Sequence, residues 1–321
     1  MPVGNSDRGV GLWAGQIMIS LDNINQYIDW WHEPVPGSGE SFDHSGTLSS
    51  LILSPAVTLG LTNYWNVTIS QRIGTRVMTW GRTERTIHHR DESTLSNFNN
   101  AIGGVRGDLQ FLFRYLMYND GMGSGKRLFF GGGIALPSKN TLTKDPFFLN
   151  GEEKTEHRHF SMSEGVYKGI LESQFYKKRD NNPVFIGGSM ITELPLKENR
   201  YGYKGSRLYA ASLTALSKPM FKNHGSLGGL LSLRHTTRAY WNGFPAPNSV
   251  STILTLGLST TFNTNLGVLG IGLQKPVFLK GGIAGTNSED IDQKLKAIQA
   301  TVSFRRMLDL TIPWLDPLKD L

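Results

Sequence analysis

The sequence contains no cysteine among its 321 residues, so disulfide frameworks, thiol nucleophiles and thiolate metal sites are excluded. Helix-period apolar patterns and apolar runs suited to a transmembrane helix are scarce, whereas glycine is abundant, with 37 residues. The charge-free stretch 239–274 alternates apolar residues with small or polar ones, which indicates strands rather than a helix. These absences predict an all-β protein.

Clusters of like charge are also scarce. The formal net charge is +7, but lysine and arginine are scattered along the chain, so no nucleic-acid partner is predicted. No cofactor motif is recognised, and HRH at 157–159 is better explained as a solvated loop than as a divalent-ion site, so neither a cofactor nor a metal ion is expected. The opening residues MPVGNSDRGVGLWAG lack the basic start, apolar core and cleavage site of a secretory signal peptide.

The alternation pattern predicts twelve strands in a single domain that spans residues 1–321. Most of these strands are longer than the usual strand of about 5–6 residues, and they exceed the about 9–11 residues needed to cross a bilayer at a tilt. The predicted strands lie near residues 9–22, 49–62, 66–80, 104–118, 126–138, 160–176, 183–195, 205–216, 226–241, 251–262, 266–280 and 295–306.

The connections between these strands alternate in length. Short links such as 63–65 and 263–265 alternate with longer ones such as 82–100 and 139–159. Outer-membrane barrels pair short periplasmic turns with long external loops. We therefore expect an antiparallel up-and-down transmembrane β-barrel of about twelve strands, located in the bacterial outer membrane with both termini on the periplasmic side. The alternative, a soluble β-sandwich or propeller, is disfavoured by the strand lengths and by the lack of an internal repeat.

The alternate positions of each strand differ in chemistry, as GDLQFLFRYLMY at 107–118 illustrates. The apolar set, such as Phe111 and Phe113, is expected to face lipid, because a basic residue at the lipid midplane costs about 2–4 kcal/mol. The polar set is therefore expected to line the lumen. Its members are Arg72, Arg76, Arg106, Asp108, Gln110, Arg114, Arg127, Glu164, Lys168, Glu172, Arg234, Arg238 and Arg305.

A plug in the lumen is expected to come from a folded-in loop. Only about eight residues precede the first predicted strand, which is too few for a separate N-terminal plug domain. The two long loops 139–159 and 82–103 are the predicted sources. Because eight-stranded barrels are nearly filled and sixteen-stranded barrels are open, twelve strands predict a bore of intermediate width.

Four segments resemble successive landmarks of the MetA-pathway of phenol degradation family. They are GGVRGDLQFLFRYLM at 103–117, FFGGGIALPS at 129–138, NRYGYKGSRLYAASL at 199–213 and LGIGLQKPVFL at 269–279. The sequence departs from the family pattern at Pro137-Ser138-Lys139 and at Gly205-Ser206. The resemblance, over about residues 100–281, implies an outer-membrane barrel that passes small hydrophobic or aromatic compounds, and it brings no catalytic motif.

The function predicted from these observations is a channel rather than an enzyme. Its expected partners are outer-membrane lipid and a small hydrophobic or aromatic solute, with anionic solutes favoured by the arginines; the sequence indicates no oligomeric state. One alternative is a hydrolase at the lipid boundary, with His235 and either Ser212 or Ser232 as candidate residues. Another is a structural or receptor barrel that binds a partner through its long loops.

Overall fold

A closed antiparallel β-barrel is the main feature of the computed structural model of the chain. The structure describes residues 6–9, 11–34, 43–80, 105–120, 123–146, 161–220, 225–282 and 291–315. The prediction of an all-β, twelve-stranded antiparallel barrel is confirmed. The barrel strands are β1 (Gln16–His32), β2 (His44–Gly60), β3 (Trp65–Trp80), β4 (Arg106–Asn119), β5 (Gly125–Leu136), β6 (Lys168–Lys178), β7 (Phe185–Pro195), β9 (Leu208–Leu216), β10 (Gly225–Thr236), β13 (Ser251–Thr264), β14 (Gly267–Lys280) and β15 (Gln293–Thr311).

Each barrel strand pairs with the barrel strands before and after it in the chain, and β1 pairs with β15 to close the wall. The connections at one end, here called the turn end, are short and lie at 61–64, 120–124, 179–184, 217–224 and 265–266. The longer connections lie at the opposite end, here called the loop end. Outside the barrel wall, the structure contains β8 (Tyr203–Lys204), β11 (Tyr240–Trp241), β12 (Phe244–Pro245) and a 3₁₀ helix at Pro313–Leu315.

The barrel exposes an apolar outer surface. Leucine side chains on different strands are strongly exposed, including Leu171 at 59%, Leu213 at 61% and Leu258 at 76%. Their inward neighbours are often small or polar, as Ser212 and Ser259 are. An apolar band outside a polar interior is the arrangement expected of a barrel that meets lipid. Within the described ranges, no helix is long and apolar enough to cross a membrane.

Several strand ends differ from the prediction. The first strand was expected at 9–22 but runs over Gln16–His32. The prediction ended too early because polar residues such as Asp22 and Gln26 alternate within the strand and make its second half resemble a loop in the sequence. The strand expected at 160–176 begins at Lys168. The strand expected at 226–241 ends at Thr236, so Arg238 is an exposed residue in the following connection and does not belong to a lumen-facing strand.

A β-bulge at the start of β4 reverses the predicted direction of Arg106. Gln71 pairs with Leu109, but Ile73 pairs with Arg106, so β4 carries one extra residue between these two pairs. Because paired residues share a face, Arg106 lies on the outward face together with Ile73. Arg106 is exposed, and its prediction as a lumen residue is wrong. Strict alternation could not reveal this one-residue shift.

A small three-stranded sheet lies among the loop-end connections. Its order is β12-β11-β8, and the pairs include Trp241 with both Phe244 and Tyr203. Trp241 is 3% exposed and packs in a cluster with Leu142 and Ala246. Loop residues therefore form an ordered apolar wall above the barrel strands.

Candidate functional site

The N-terminal segment, defined here as residues 6–9, lies inside the barrel near the turn end. The backbone N–H of Ser6 donates to Oδ2 of Asp22 at 3.0 Å. The backbone N–H of Gly9 donates to Oε1 of Gln174 at 2.9 Å. The expectation that only a loop could fill the lumen is therefore wrong. The first strand begins later than predicted, which leaves enough chain before it to enter the barrel.

Two ion pairs join this segment to the barrel wall, and a third links two residues of the wall itself. Arg114 contacts Oδ2 of Asp7 with Nη2 at 2.5 Å and Oε2 of Glu172 with Nε at 2.7 Å. Nε of Arg8 lies 3.0 Å from Oε1 of Glu172. Burial raises the pKa of Asp7, but Arg114 and Arg8 outweigh burial and hold this pKa below its usual value. Two positive and two negative charges thus compensate one another inside the barrel.

A cavity of about 310 Å³, here called the loop-side cavity, lies toward the loop end. It combines charged residues, most of them on the barrel wall, with apolar and aromatic residues of the loops. Part of the predicted plug loop 139–159 contributes to it through residues 141, 142 and 146, whereas 147–159 and 82–103 lie outside the described residues. The charged lining residues are Arg72, Arg76, Asp108, Glu164, Lys168, Glu193 and Arg234.

The charges of this cavity are unequally compensated. Nζ of Lys168 lies 2.9 Å from Oε2 of Glu164 and 3.4 Å from Oε2 of Glu193. Among the described residues, no carboxylate lies within the 4 Å ion-pair distance of Arg72 or Arg234. Four basic side chains face three carboxylates around the cavity, an excess of one positive charge.

A second cavity of about 310 Å³, here called the turn-side cavity, lies between the first cavity and the N-terminal segment. Its wall mixes hydroxyl and amide groups with aliphatic side chains, including Ser212, Gln274 and Ile253. Arg8 of the N-terminal segment also lines it. Arg234 lines both cavities and therefore lies at the boundary between them.

The remaining predicted lumen residues lie away from the loop-side cavity. Gln110 is half-buried and shares its face with the buried Ala135, to which it is paired. Nε of Arg127 donates to Oδ1 of Asn119 at 3.2 Å near the turn end. Arg305 pairs with the buried Ser20, also toward the turn end. Apart from Arg106 and Arg238, which lie outside the lumen, the predicted residues do not form one cluster but occupy several levels of the barrel.

The candidate hydrolase residues are not brought together. Nδ1 of His235 lies 2.9 Å from Oγ1 of Thr252, on the outward face of its strand beside the exposed Leu233. Ser212 and Ser232 line the turn-side cavity on the opposite face of the wall. No Ser-His pair of the kind needed for nucleophilic catalysis is therefore formed by these candidates. Within the described part of the chain, no group of three or more potential metal ligands is clustered.

These features define an outer-membrane-type β-barrel with a partly filled lumen. No family model and no curated protein matches the sequence, so membership of the family that it resembles stays a prediction. The fold is similar to that of an outer membrane channel from Pseudomonas putida F1, with a TM-score of 0.60 and 12% identity over 94% of this chain and 99% of that chain. This likeness concerns the fold alone.

Two further solved structures are more distant. The TodX monoaromatic hydrocarbon channel has a TM-score of 0.39 and 11% identity over 96% of this chain and 93% of that chain. The NanC porin has a TM-score of 0.41 and 9% identity over 88% of this chain and 98% of that chain. Both likenesses are too weak to carry an argument.

Sequence reasoning missed the residues that complete the lumen. Asp7 and Arg8 look like an ordinary solvated N-terminus, and Tyr203 and Trp241 were assigned to connections or strand ends rather than to a cavity. The sequence did contain one indication that Asp7 and Arg8 enter the lumen. A charged residue in the middle of a spanning strand, such as Arg114, requires a partner of opposite charge.

Proposed function

We propose that the protein is a bacterial outer-membrane channel through which small hydrophobic or aromatic compounds, including anionic ones, cross by facilitated diffusion. The observation that carries this proposal is the pair of cavities inside the closed barrel, which meet at Arg234. Two adjoining cavities along the barrel axis supply successive binding sites for a solute. A purely structural barrel has no need of them.

The size and lining of the cavities limit the solutes. Each cavity is about 310 Å³, which is at the lower end of the about 300–1,000 Å³ typical of small-molecule pockets. Aliphatic and aromatic lining residues favour compounds with an apolar body, whereas the arginines favour acceptor groups. The resemblance to the phenol-degradation family supports the same class of solute.

The exposed apolar band supports location in a lipid bilayer, and the short connections support placement of the turn end on the periplasmic side. In this orientation, a solute enters at the loop end, passes Arg234 and meets the N-terminal segment before leaving. The segment narrows the exit, so the channel is expected to have a small conductance.

Planar bilayer recording tests the proposal. Purified protein should produce discrete conductance steps, and Arg234→Trp should reduce them by filling the boundary between the cavities. Arg238→Trp is the matched control, because Arg238 is exposed and lies beyond the end of β10. If neither the native chain nor the Asp7→Asn/Arg8→Gln variant gives steps, the channel proposal is refuted.

A further inference from the structure

Two arginines in the loop-side cavity are available to an anion. Arg72 on β3 and Arg234 on β10 both line the cavity. Arg234 is influenced electrostatically by the negative charge of Glu193 and by the positive charge of Arg72. Neither guanidinium has a hydrogen-bond or ion-pair partner among the described residues. Two like charges that face one cavity repel each other, so a bound anion would stabilise the pair.

The other charged groups of the cavity have partners in the protein. Nη1 of Arg76 donates to the carbonyl oxygen of Ser161 at 2.9 Å. Lys168 lies between Glu164 and Glu193. Oδ1 of Asp108 accepts a hydrogen bond from the backbone N–H of Ser138 at 3.3 Å. Lys168 and the three carboxylates sum to two negative charges, whereas Arg72, Arg76 and Arg234 carry three positive ones. The cavity therefore has an excess of one positive charge, which matches a ligand with a single negative charge.

The cavity also has an aromatic wall. The rings of Tyr203 and Trp241 pack with their centroids 4.9 Å apart at an interplanar angle of 50°. Both residues line the cavity, as do Leu142 and Met162. The small sheet and the apolar cluster around Trp241 hold this wall in place. A planar ring would find apolar and π surface there.

We propose that the loop-side cavity is a binding site for an aromatic monocarboxylate, whose carboxylate lies between Arg72 and Arg234 and whose ring rests on the wall formed by Tyr203 and Trp241. This inference rests on the proposed channel function and names a substrate class for it. Guanidinium groups recognise carboxylates through paired hydrogen bonds, so the site selects the acid over its neutral amide. Arg234, which lines both cavities, transfers the bound acid from one cavity to the next.

Isothermal titration calorimetry of the detergent-solubilised protein tests this site with four probes. Benzoate should bind at least tenfold more tightly than benzamide, which lacks the charge, and than acetate, which lacks the ring. Benzylammonium should not bind measurably. Rising salt concentration should weaken benzoate binding, because the attraction is electrostatic.

Variants locate the site. Arg72→Gln and Arg234→Gln should each weaken benzoate binding at least tenfold. Arg238→Gln, which alters an exposed arginine beyond β10, should leave binding unchanged. A shift in apparent size between unboiled and boiled samples on gels verifies that each variant is folded. Equal affinity for benzoate and benzamide, or unchanged binding in both arginine variants, would overturn the site.

Conductance separates this proposal from the proposed function. If the protein gives conductance steps but binds benzoate and benzamide equally, the carboxylate site is wrong and the channel stands. If benzoate binds through the two arginines but neither the native chain nor the Asp7→Asn/Arg8→Gln variant conducts, the site stands and the channel is wrong.

Discussion

Arg114 on β4 and Glu172 on β6 form an ion pair across the strand that separates them. Each residue pairs in register with Gly131 of β5, and Nε of Arg114 lies 2.7 Å from Oε2 of Glu172. A Cβ atom at Gly131 would lie 3.3 Å from Cγ of Arg114 and 3.4 Å from Oε2 of Glu172. Because Gly131 has no side chain, the side chains of Arg114 and Glu172 can meet above it.

The first prediction concerns this buried pair. Glu172→Gln should lower the free energy of unfolding by about 3–5 kcal/mol, because it leaves the Arg114 charge with less compensation. The double variant Arg114→Leu/Glu172→Leu should lower the free energy of unfolding by less than the sum of the two single leucine variants, since it removes both charges. Urea unfolding in detergent micelles measures these differences.

The exposed Glu198→Gln is the control for that experiment and should change stability by no more than about 0.5 kcal/mol. If the change in unfolding free energy of the double leucine variant equals the sum of the changes in the two single variants, the pairing of Arg114 with Glu172 is contradicted.

The second prediction concerns the N-terminal segment. Asp7→Asn/Arg8→Gln removes the two charges of the segment that pair with Arg114 and Glu172. The segment should therefore leave the lumen more often. Single-channel conductance in planar bilayers should rise. Lys126→Gln, at an exposed position near the turn end, is the control. Unchanged conductance in the double variant would show that the segment does not limit passage.

The third prediction is a pH dependence with a defined sign. The pKa of Asp7 lies below its ordinary value of 3.8, so the ionised carboxylate stabilises the docked segment above that pH. This stabilisation is lost as the pH falls through the lowered pKa. Conductance of the native chain should therefore rise as the pH falls below 3.8, and Asp7→Asn should show a smaller rise. A native conductance that falls or stays constant would contradict this linkage.

Much of the barrel was predictable because most of its wall follows a period of two. The number of strands and the apolar faces follow from that period, as residues 254–258 illustrate. The bulge beside Arg106 was not predictable, because it depends on how β3 and β4 pair rather than on either sequence alone. The contacts of Asp7 and Trp241 join distant parts of the chain, and strand patterning contains no information about them.

The fourth prediction tests which side chains face the lumen. Thr255 lines the turn-side cavity, whereas Leu256 is 52% exposed on the outer surface. In liposomes, a cysteine at position 255 should react with a small water-soluble thiol reagent, and a cysteine at 256 should be protected by lipid. The native chain has no cysteine and gives no background. Faster labelling at 256 would reverse the assignment of the two faces.

The last prediction tests whether lipid covers the outer surface. Leu258 is 76% exposed in the outward set of β13, and Leu266 is 66% exposed in a turn. In water, Leu258→Arg at so exposed a position should change stability by no more than about 0.5 kcal/mol. In a bilayer, the same change near the midplane should cost about 2–4 kcal/mol, and Leu266→Arg at the barrel rim should cost about 0–1 kcal/mol. Reversible unfolding of both variants in lipid vesicles measures the difference, and equal, near-zero costs would place this surface in water and refute the membrane assignment.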